Sequence, residues 1–453
     1  MIFQRIKKIF EGENLKARTV RGTFLTIISF GGANGLRLAS NLILTRLLFP
    51  EAFGLMAIVQ VFMAGLEMFS DLGIKDCVIR STRGDDEIFL NTAWTMQILR
   101  GCVLWLMAWA LASPAAAIYN EPMLAQLLPA VGLNVFLAGF MTTNLFTEIR
   151  RLRLGRIVSI DLTSQFVGLC AIIAFAWWLQ SVWALVIGAI FGSIFKLFLA
   201  HWTLPGIRNR LCLERSSVRE IFSFGKFIFL STITAFVINQ SDKAILGGFI
   251  SLAALGIYNI GFFLGTAPYV LARAVANSVV FPLYRMRHPL ESDENRRKIF
   301  QMRRLSILGA LSAAALLAFS GPWLVASLYD PRYAQAGAVV TLIAFASVPM
   351  ITFEGNLRAI MARGDTRSFF IVQFWMALVQ VVLVYFGTQQ FGIFGAILSL
   401  GLAPLATYPL RVRVLIRYGS WDALGELGLM ALGFIVCGWA SFVHRDLILA
   451  LLD

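Results

Sequence analysis

Charge is scarce in this 453-residue chain: Asp, Glu, Lys and Arg make up 14% of it, against about 25% in an ordinary soluble domain. With 58% of its residues hydrophobic, too little polar surface is left to cover a globule in water, and lipid is the solvent that fits. The five cysteines (Cys77, Cys102, Cys170, Cys212, Cys437) form no CxxC pair, which argues against a disulfide framework and a cysteine-built metal site. His201, His288 and His444 stand alone near segment ends. Walker A loops, Gly-rich phosphate loops and paired catalytic motifs are absent, which excludes ATP hydrolysis by this chain and points away from an enzyme. Apolar and polar residues do not alternate as barrel strands would; 169–179 is apolar all round. The net charge of +14 is spread among apolar spans rather than gathered on one face, so it does not read as a nucleic-acid surface.

What is present is a series of apolar stretches of about 20 residues, the length a helix needs to cross hydrocarbon. They fall near 23–48, 52–74, 90–113, 123–147, 157–179, 181–203, 224–249, 252–281, 305–328, 336–361, 368–388, 391–415 and 422–443. Arginine and lysine concentrate in alternate connections, such as Arg150/Arg151/Arg153/Arg156 and Arg285/Arg287/Arg296/Arg297, and the connections between those carry almost none. The positive-inside rule then places the basic connections and the N-terminus in the cytoplasm of a bacterial inner-membrane protein. The outward connections are too short to fold into an active site. The expected fold is all-α: twelve core transmembrane helices in two six-helix lobes, plus one or two C-terminal helices. Its expected parts are a basic segment over 1–22, an N-lobe over 23–203, a cytoplasmic linker over 204–223, a C-lobe over 224–417, and an extra helix with tail over 418–453. In the first part Ile2, Phe3, Ile6, Ile9 and Phe10 share one helical face, which suits an interfacial helix. That part also lacks the apolar core and cleavage site of a signal peptide.

The two lobes are suggested by an internal repeat. Laying LILTRLLFPEAFGLM, from Leu42, over AILGGFISLAALGIY, from Ala244, aligns Gly54 with Gly256, Ala52 with Ala254 and Leu44 with Leu246 without gaps. Six helices per unit make the units parallel, a layout in which transporters hold substrate near the midplane. Several charges lie inside spans, where each costs at least about 2.5 kcal/mol at the bilayer centre: Arg37, Arg100, Lys196, Lys243, Arg273 and Arg358, with Glu67, Asp71, Asp242 and Glu354. Arg37 is flanked by Asn34 and Asn41 about one turn away on either side, and Asn239 precedes Asp242 and Lys243 in the seventh span. Arg37, Asn34, Asn41, Asn239, Lys243, Arg273 and Arg358 are the candidate lining of a cationic cavity suited to an anionic substrate such as a pyrophosphate. Asp242, Glu67 and Glu354 are candidates for ion pairing or for coupling to a proton or sodium ion. Arg100 and Lys196 read more simply as snorkelling to the inner interface.

The stretches RLASNLILTRLLFPEAFGLMAIVQVFMAGLEMFSDLGIKDCVIR, NQSDKAILGGFISLAALGIYNIGFFL and LRAIMARGDTRSFF resemble Wzx-type oligosaccharide flippases, the polysaccharide branch of the multidrug/oligosaccharidyl-lipid/polysaccharide exporter superfamily. The resemblance implies a V-shaped, two-lobed transporter without cofactor. Its implied substrate is an undecaprenyl-pyrophosphate-linked oligosaccharide, moved by alternating access from the cytoplasmic to the periplasmic leaflet. A polymerase and a chain-length regulator are the protein partners such a role suggests, and inner-membrane lipids surround it. The family's Asp-basic pair falls on Asp242 and Lys243, and its basic residue in the tenth helix on Arg358. Rival readings are a drug extruder of the same superfamily, which would favour acidic groups in its lumen, and a membrane-embedded polysaccharide polymerase or ligase, which would need a large outward loop.

Overall fold

Apolar stretches too long for strands, broken by Gly, Pro and basic clusters, form helices along the computed structural model, which describes residues 15–70 and 73–451, with side chains from 31 onward except 224–231. The N-terminal interfacial helix and Asp71 lie outside the described residues. In chain order the helices are α1 (Leu15–Leu47), α2 (Pro50–Phe69), α3 (Ile74–Arg80), α4 (Glu87–Tyr119), α5 (Leu124–Gly139), α6 (Asn144–Arg150), α7 (Leu154–Leu179), α8 (Trp183–Thr203) and α9 (Arg215–Leu246). They continue as α10 (Leu252–Gly265), α11 (Ala267–Val275), a π-helical turn (Ala276–Val280), α12 (Phe281–Met286), α13 (Asp293–Leu328), α14 (Ala336–Ala362), α15 (Thr366–Ala406), α16 (Tyr408–Arg417), α17 (Ala423–Val443) and α18 (Arg445–Leu449). No strand occurs among the described residues. Eight helices there are long and apolar enough to cross a membrane, or up to ten if each of two bent pairs is one span, so this is a multi-pass membrane protein.

Helices run through all the expected spans, but several differ in extent. The fourth span is the pair α5 and α6, bent by 62°. α13 begins at Asp293 rather than near 305, because Ser292 caps it by accepting from Asn295 N at 3.1 Å, and Asp293 and Glu294 favour its N-terminal dipole. α15 continues through both the eleventh span and much of the twelfth, with a break at Phe391 and Gly392. Gly392 has φ +54°, a backbone that side chains with a Cβ rarely adopt, which is why a glycine turns the chain there.

The chain divides into two compact units, residues 1–48 with 59–233, and residues 49–58 with 234–453. In the first unit α4 packs along α5, α7 along α8, and α1 against α7. The segment entering α9 is pinned to α4: the amides of Arg210, Cys212 and Glu214, spaced by two as in extended chain, donate to Asn91 Oδ1, Thr95 Oγ1 and Thr92 Oγ1 at 2.9, 2.9 and 3.1 Å. Arg83 binds both Asp86 and Glu214, at 2.6 and 2.8 Å, beside it.

In the second unit α14 is the central helix, buried along nearly its whole length against α13, α15, α10 and α17. The opening turns of α2 belong to this unit and cross α10 there. A Cβ on Gly54 would stand 1.9 Å from Leu252 O, and one on Gly256 would stand 2.0 Å from Pro50 O. The two glycines that the sequence repeat aligns therefore meet each other, backbone against backbone.

α17 is seated by acids on adjacent arginines of α13. Arg303, 2% exposed, donates to Tyr284 Oη at 3.1 Å, to Ser420 O at 2.7 Å, and to Asn356 Oδ1 and Glu426 Oε1. Glu426 Oε2 accepts from Tyr408 Oη at 3.1 Å and Asn356 Nδ2 at 3.3 Å. Arg304 grips Asp422 through two bonds of 2.7 and 2.6 Å.

The Arg-Gly-Asp-Thr-Arg turn between α14 and α15 has a structural use. Asp365 caps α15 by accepting from Ser368 N at 2.9 Å, and it also accepts from Tyr418 Oη at 2.5 Å. The bonds from Ser368, side chain and amide, with that from Tyr418, hold its carboxyl below the usual carboxylate range. A depressed carboxyl contributes stability that is present above the unfolded-state value and is lost as pH falls through the folded one. Asp365→Ala is expected to cost about 1 kcal/mol near neutral pH and less in acid, read as thermal unfolding across pH 3–7. A cost that grows in acid would contradict the cap.

Candidate functional site

In the first unit, polar residues spaced by three and four on apolar helices gather around a cavity of about 530 Å³. Asp161, Ser164 and Gln165 come from α7, Ser193 and Lys196 from α8, and Arg37 from α1. Lys196 Nζ lies 2.8 Å from Asp161 Oδ1, with both side chains about 40% exposed to the open space. Gln165 Nε2 ties α7 to α1 by donating to Ala33 O at 3.0 Å, and Ser193 Oγ ties α8 to α5 by donating to Asn134 Oδ1 at 2.9 Å. Ser164, 4% exposed, has a buried hydroxyl with no hydrogen-bond partner among the described residues. Asn34 and Asn41 flank Arg37 along α1 but do not line this cavity.

In the second unit the structure brings together polar residues of separate helices. Glu354 of α14 pairs with Arg358 one turn on, stands 3.8 Å from Arg273 Nε of α11, and accepts from Tyr269 Oη at 3.2 Å. Arg411 of α16, buried, lies against the ring of Phe353 in the same region. Three arginines around one carboxylate leave the cluster with a surplus of positive charge. Arg273 lies in the last turn of α11, three residues before the π-helical turn, a widened helix segment common at functional sites.

The remaining candidates sit apart from these clusters. Asp242 is buried and accepts from Tyr258 Oη at 2.5 Å, while Lys243 lies over the ring of Phe262, 5.0 Å from its centre. Asn239, exposed, donates back to Ala235 O at 2.6 Å. Glu67 is exposed near the end of α2. Arg100 caps that end, donating to Glu67 O at 2.8 Å and to Ser70 Oγ at 3.0 Å. Lys196, also read as snorkelling, is held by Asp161 inside the cavity.

Asp161, Ser164, Gln165, Ser193, Tyr269 and Arg411 were not among the residues the sequence singled out. A signal for the first four exists: Asp161, Ser164, Gln165 and Gly168, like Ala189, Gly192, Ser193 and Lys196, recur with helical spacing on one face. No group of three or more His, Cys, Asp or Glu able to hold a metal occurs among the described residues.

Residues 43–338 match the family described as Polysaccharide biosynthesis protein. The lipopolysaccharide biosynthesis protein WzxC of Escherichia coli strain K12 is 20% identical over 305 residues, 67% of this chain and 61% of that protein. This chain thus spans about three fifths of WzxC. The succinoglycan biosynthesis transport protein ExoT of Rhizobium meliloti strain 1021 is 24% identical over 381 residues, 81% of this chain and 73% of that one. The solved structure of the lipid II flippase MurJ, in an inward closed conformation, superimposes with a TM-score of 0.65 at 12% identity, covering 95% of this chain and 100% of the other. That likeness is one of fold.

Proposed function

Because the chain belongs to the polysaccharide biosynthesis protein family, we propose that it is a flippase. It moves an undecaprenyl-pyrophosphate-linked oligosaccharide across the bacterial inner membrane, from the cytoplasmic to the periplasmic leaflet, by alternating access. The product feeds exopolysaccharide, capsule or O-antigen assembly, where a polymerase and a chain-length regulator are the partners it would meet. The alternating basic connections support a cytoplasmic N-terminus. ExoT is named a transport protein and MurJ a flippase, which favours transport over the polymerase or ligase reading.

The observation that carries the proposal is the placing of positive charge within apolar helices: Arg37 and the Asp161-paired Lys196 in one unit, and Arg273 and Arg358 on Glu354, with Arg411 near them, in the other. Intramembrane cations are too costly to be incidental, and arginine forks match phosphate oxygens. Arg37, Lys243, Arg273 and Arg358, with Asn34, Asn41 and Asn239, are the proposed contacts along the substrate's path. Surplus arginine opposes the drug-extruder reading, in which an acidic lumen would be expected.

A strain lacking the protein is expected to accumulate the lipid-linked oligosaccharide on the cytoplasmic side. At matched membrane levels, Arg358→Ala and Arg37→Ala are each expected to restore export about tenfold less well than wild type, the effect of roughly 1.4 kcal/mol. If the lipid-linked unit reached the periplasm without the protein, while only polymer was missing, the flippase reading would fall and a polymerase or ligase would take its place.

A further inference from the structure

The first unit's cavity holds an acid already seated on one of its bases. Asp161 and Lys196 face each other across 2.8 Å on the lining of a space of about 530 Å³, each side chain about 40% exposed although the paired Asp161 Oδ1 is itself buried, and that volume is within the range of small-molecule sites, roughly 300–1,000 Å³. Ion pairs that stay solvated contribute little. This one keeps about two fifths of each side chain exposed, unlike Arg303 and Glu426, which are buried to 2% and 1% exposure in the second unit. One turn from Asp161, the buried Ser164 hydroxyl on the cavity wall has no hydrogen-bond partner among the described residues. Arg37 adds a second cation to the same lining.

We propose that this cavity is a phosphate-oxyanion site in which Asp161 is a place-holder. Without ligand its carboxylate is the counter-charge held against Lys196. When a phosphate enters, its oxygens take Lys196 and Arg37 and accept from Ser164, and the carboxylate swings away. Asp161 therefore competes with the ligand, which keeps the bound state shallow enough for release. Ser164 acts only when the ligand is present. The assignment of a lipid-linked phosphate as occupant rests on the flippase reading; the competition between carboxylate and oxyanion does not.

The test uses the full chain in lipid nanodiscs and two probes, inorganic pyrophosphate and undecaprenyl pyrophosphate, with Kd read by titration and folding by thermal unfolding. Asp161→Asn is expected to bind pyrophosphate at least about fivefold tighter than wild type, Lys196→Met at least about fivefold weaker, and Asp161→Asn added to Lys196→Met to recover less than it gains alone, because only direct charge repulsion and no competition for the lysine is then relieved. Ser164→Ala, which leaves the ion pair intact and changes little volume, is expected to weaken binding several-fold at unchanged thermal stability. Tighter binding of the lipid than of inorganic pyrophosphate assigns the site to a lipid headgroup; equal binding assigns it to a free oxyanion. If wild type binds and folded Asp161→Asn binds equally or more weakly, or if Ser164→Ala leaves binding unchanged, the place-holder site is overturned and the flippase reading stands. If wild type binds neither probe, the place-holder site falls, and the flippase reading is decided separately by where the lipid-linked oligosaccharide accumulates.

Discussion

Glu426→Ala is expected to destabilise the protein by about 3–5 kcal/mol, the usual consequence of removing one partner of a buried ion pair. The alanine would leave Arg303 with a guanidinium sealed from solvent and two of its other acceptors, Tyr284 and Ser420, uncharged. It would also strip the acceptor from Tyr408 and Asn356. Because Glu426 lies in the first turns of α17, the loss falls on the seating of that helix against α13 and α14. The expected result is a large drop in thermal midpoint in detergent, with α17 newly open to protease. Arg303→Met combined with Glu426→Leu is expected to recover much of the loss, since apolar residues of similar volume often replace buried pairs at little cost. A single Glu426→Ala variant as stable as wild type would show that the apolar face of α17 alone holds it.

The second large effect is expected at the crossing of α2 and α10. Most core positions relax when a methyl is added, because a side chain gives way. At Gly54 and Gly256 the obstacle is a backbone carbonyl, Leu252 O for the first and Pro50 O for the second. Gly54→Ala and Gly256→Ala are therefore each expected to force the helices apart, at a cost of about 1–3 kcal/mol or more, and to similar extents. Their double variant is expected to be markedly less than additive, since the first methyl has already opened the gap that the second needs. Thermal unfolding of the four proteins measures this, and independent, additive losses would mean that the two positions do not share one contact.

Hydropathy and charge alternation carried most of the fold, because crossing lipid demands long apolar helices and leaves arginine on one side. They could not set helix ends lying outside lipid. α9 starts at Arg215 and α13 at Asp293, several residues before the apolar stretch begins, since capping and helix propensity govern there rather than transfer to hydrocarbon. The candidate site was legible in part. Arg273, Glu354 and Arg358 drew notice as charges in apolar context, but nothing in the order of residues says that α11 and α14 would bring the first beside the others. Asp161, Ser164 and Gln165 escaped notice because single polar groups three or four residues apart scarcely alter composition; their meaning lies in the face they share. The Asp365 turn shows the reverse case, a stretch that drew notice by its resemblance to a family of transporters and whose geometry here is that of a helix cap.

The Arg303 network also orders events during synthesis. Arg303 and Glu426 are 123 residues apart, so at roughly 5–20 residues per second the arginine waits about 6–25 s for its counter-charge. Tyr284, 19 residues earlier, is already in place. Asn356 follows after 53 residues, and Ser420 after 117, shortly before Glu426 itself. The growing chain thus supplies neutral oxygens to a stranded cation in succession, and a ribosome that stops before residue 420 releases a protein whose buried arginine still lacks its last two ligands.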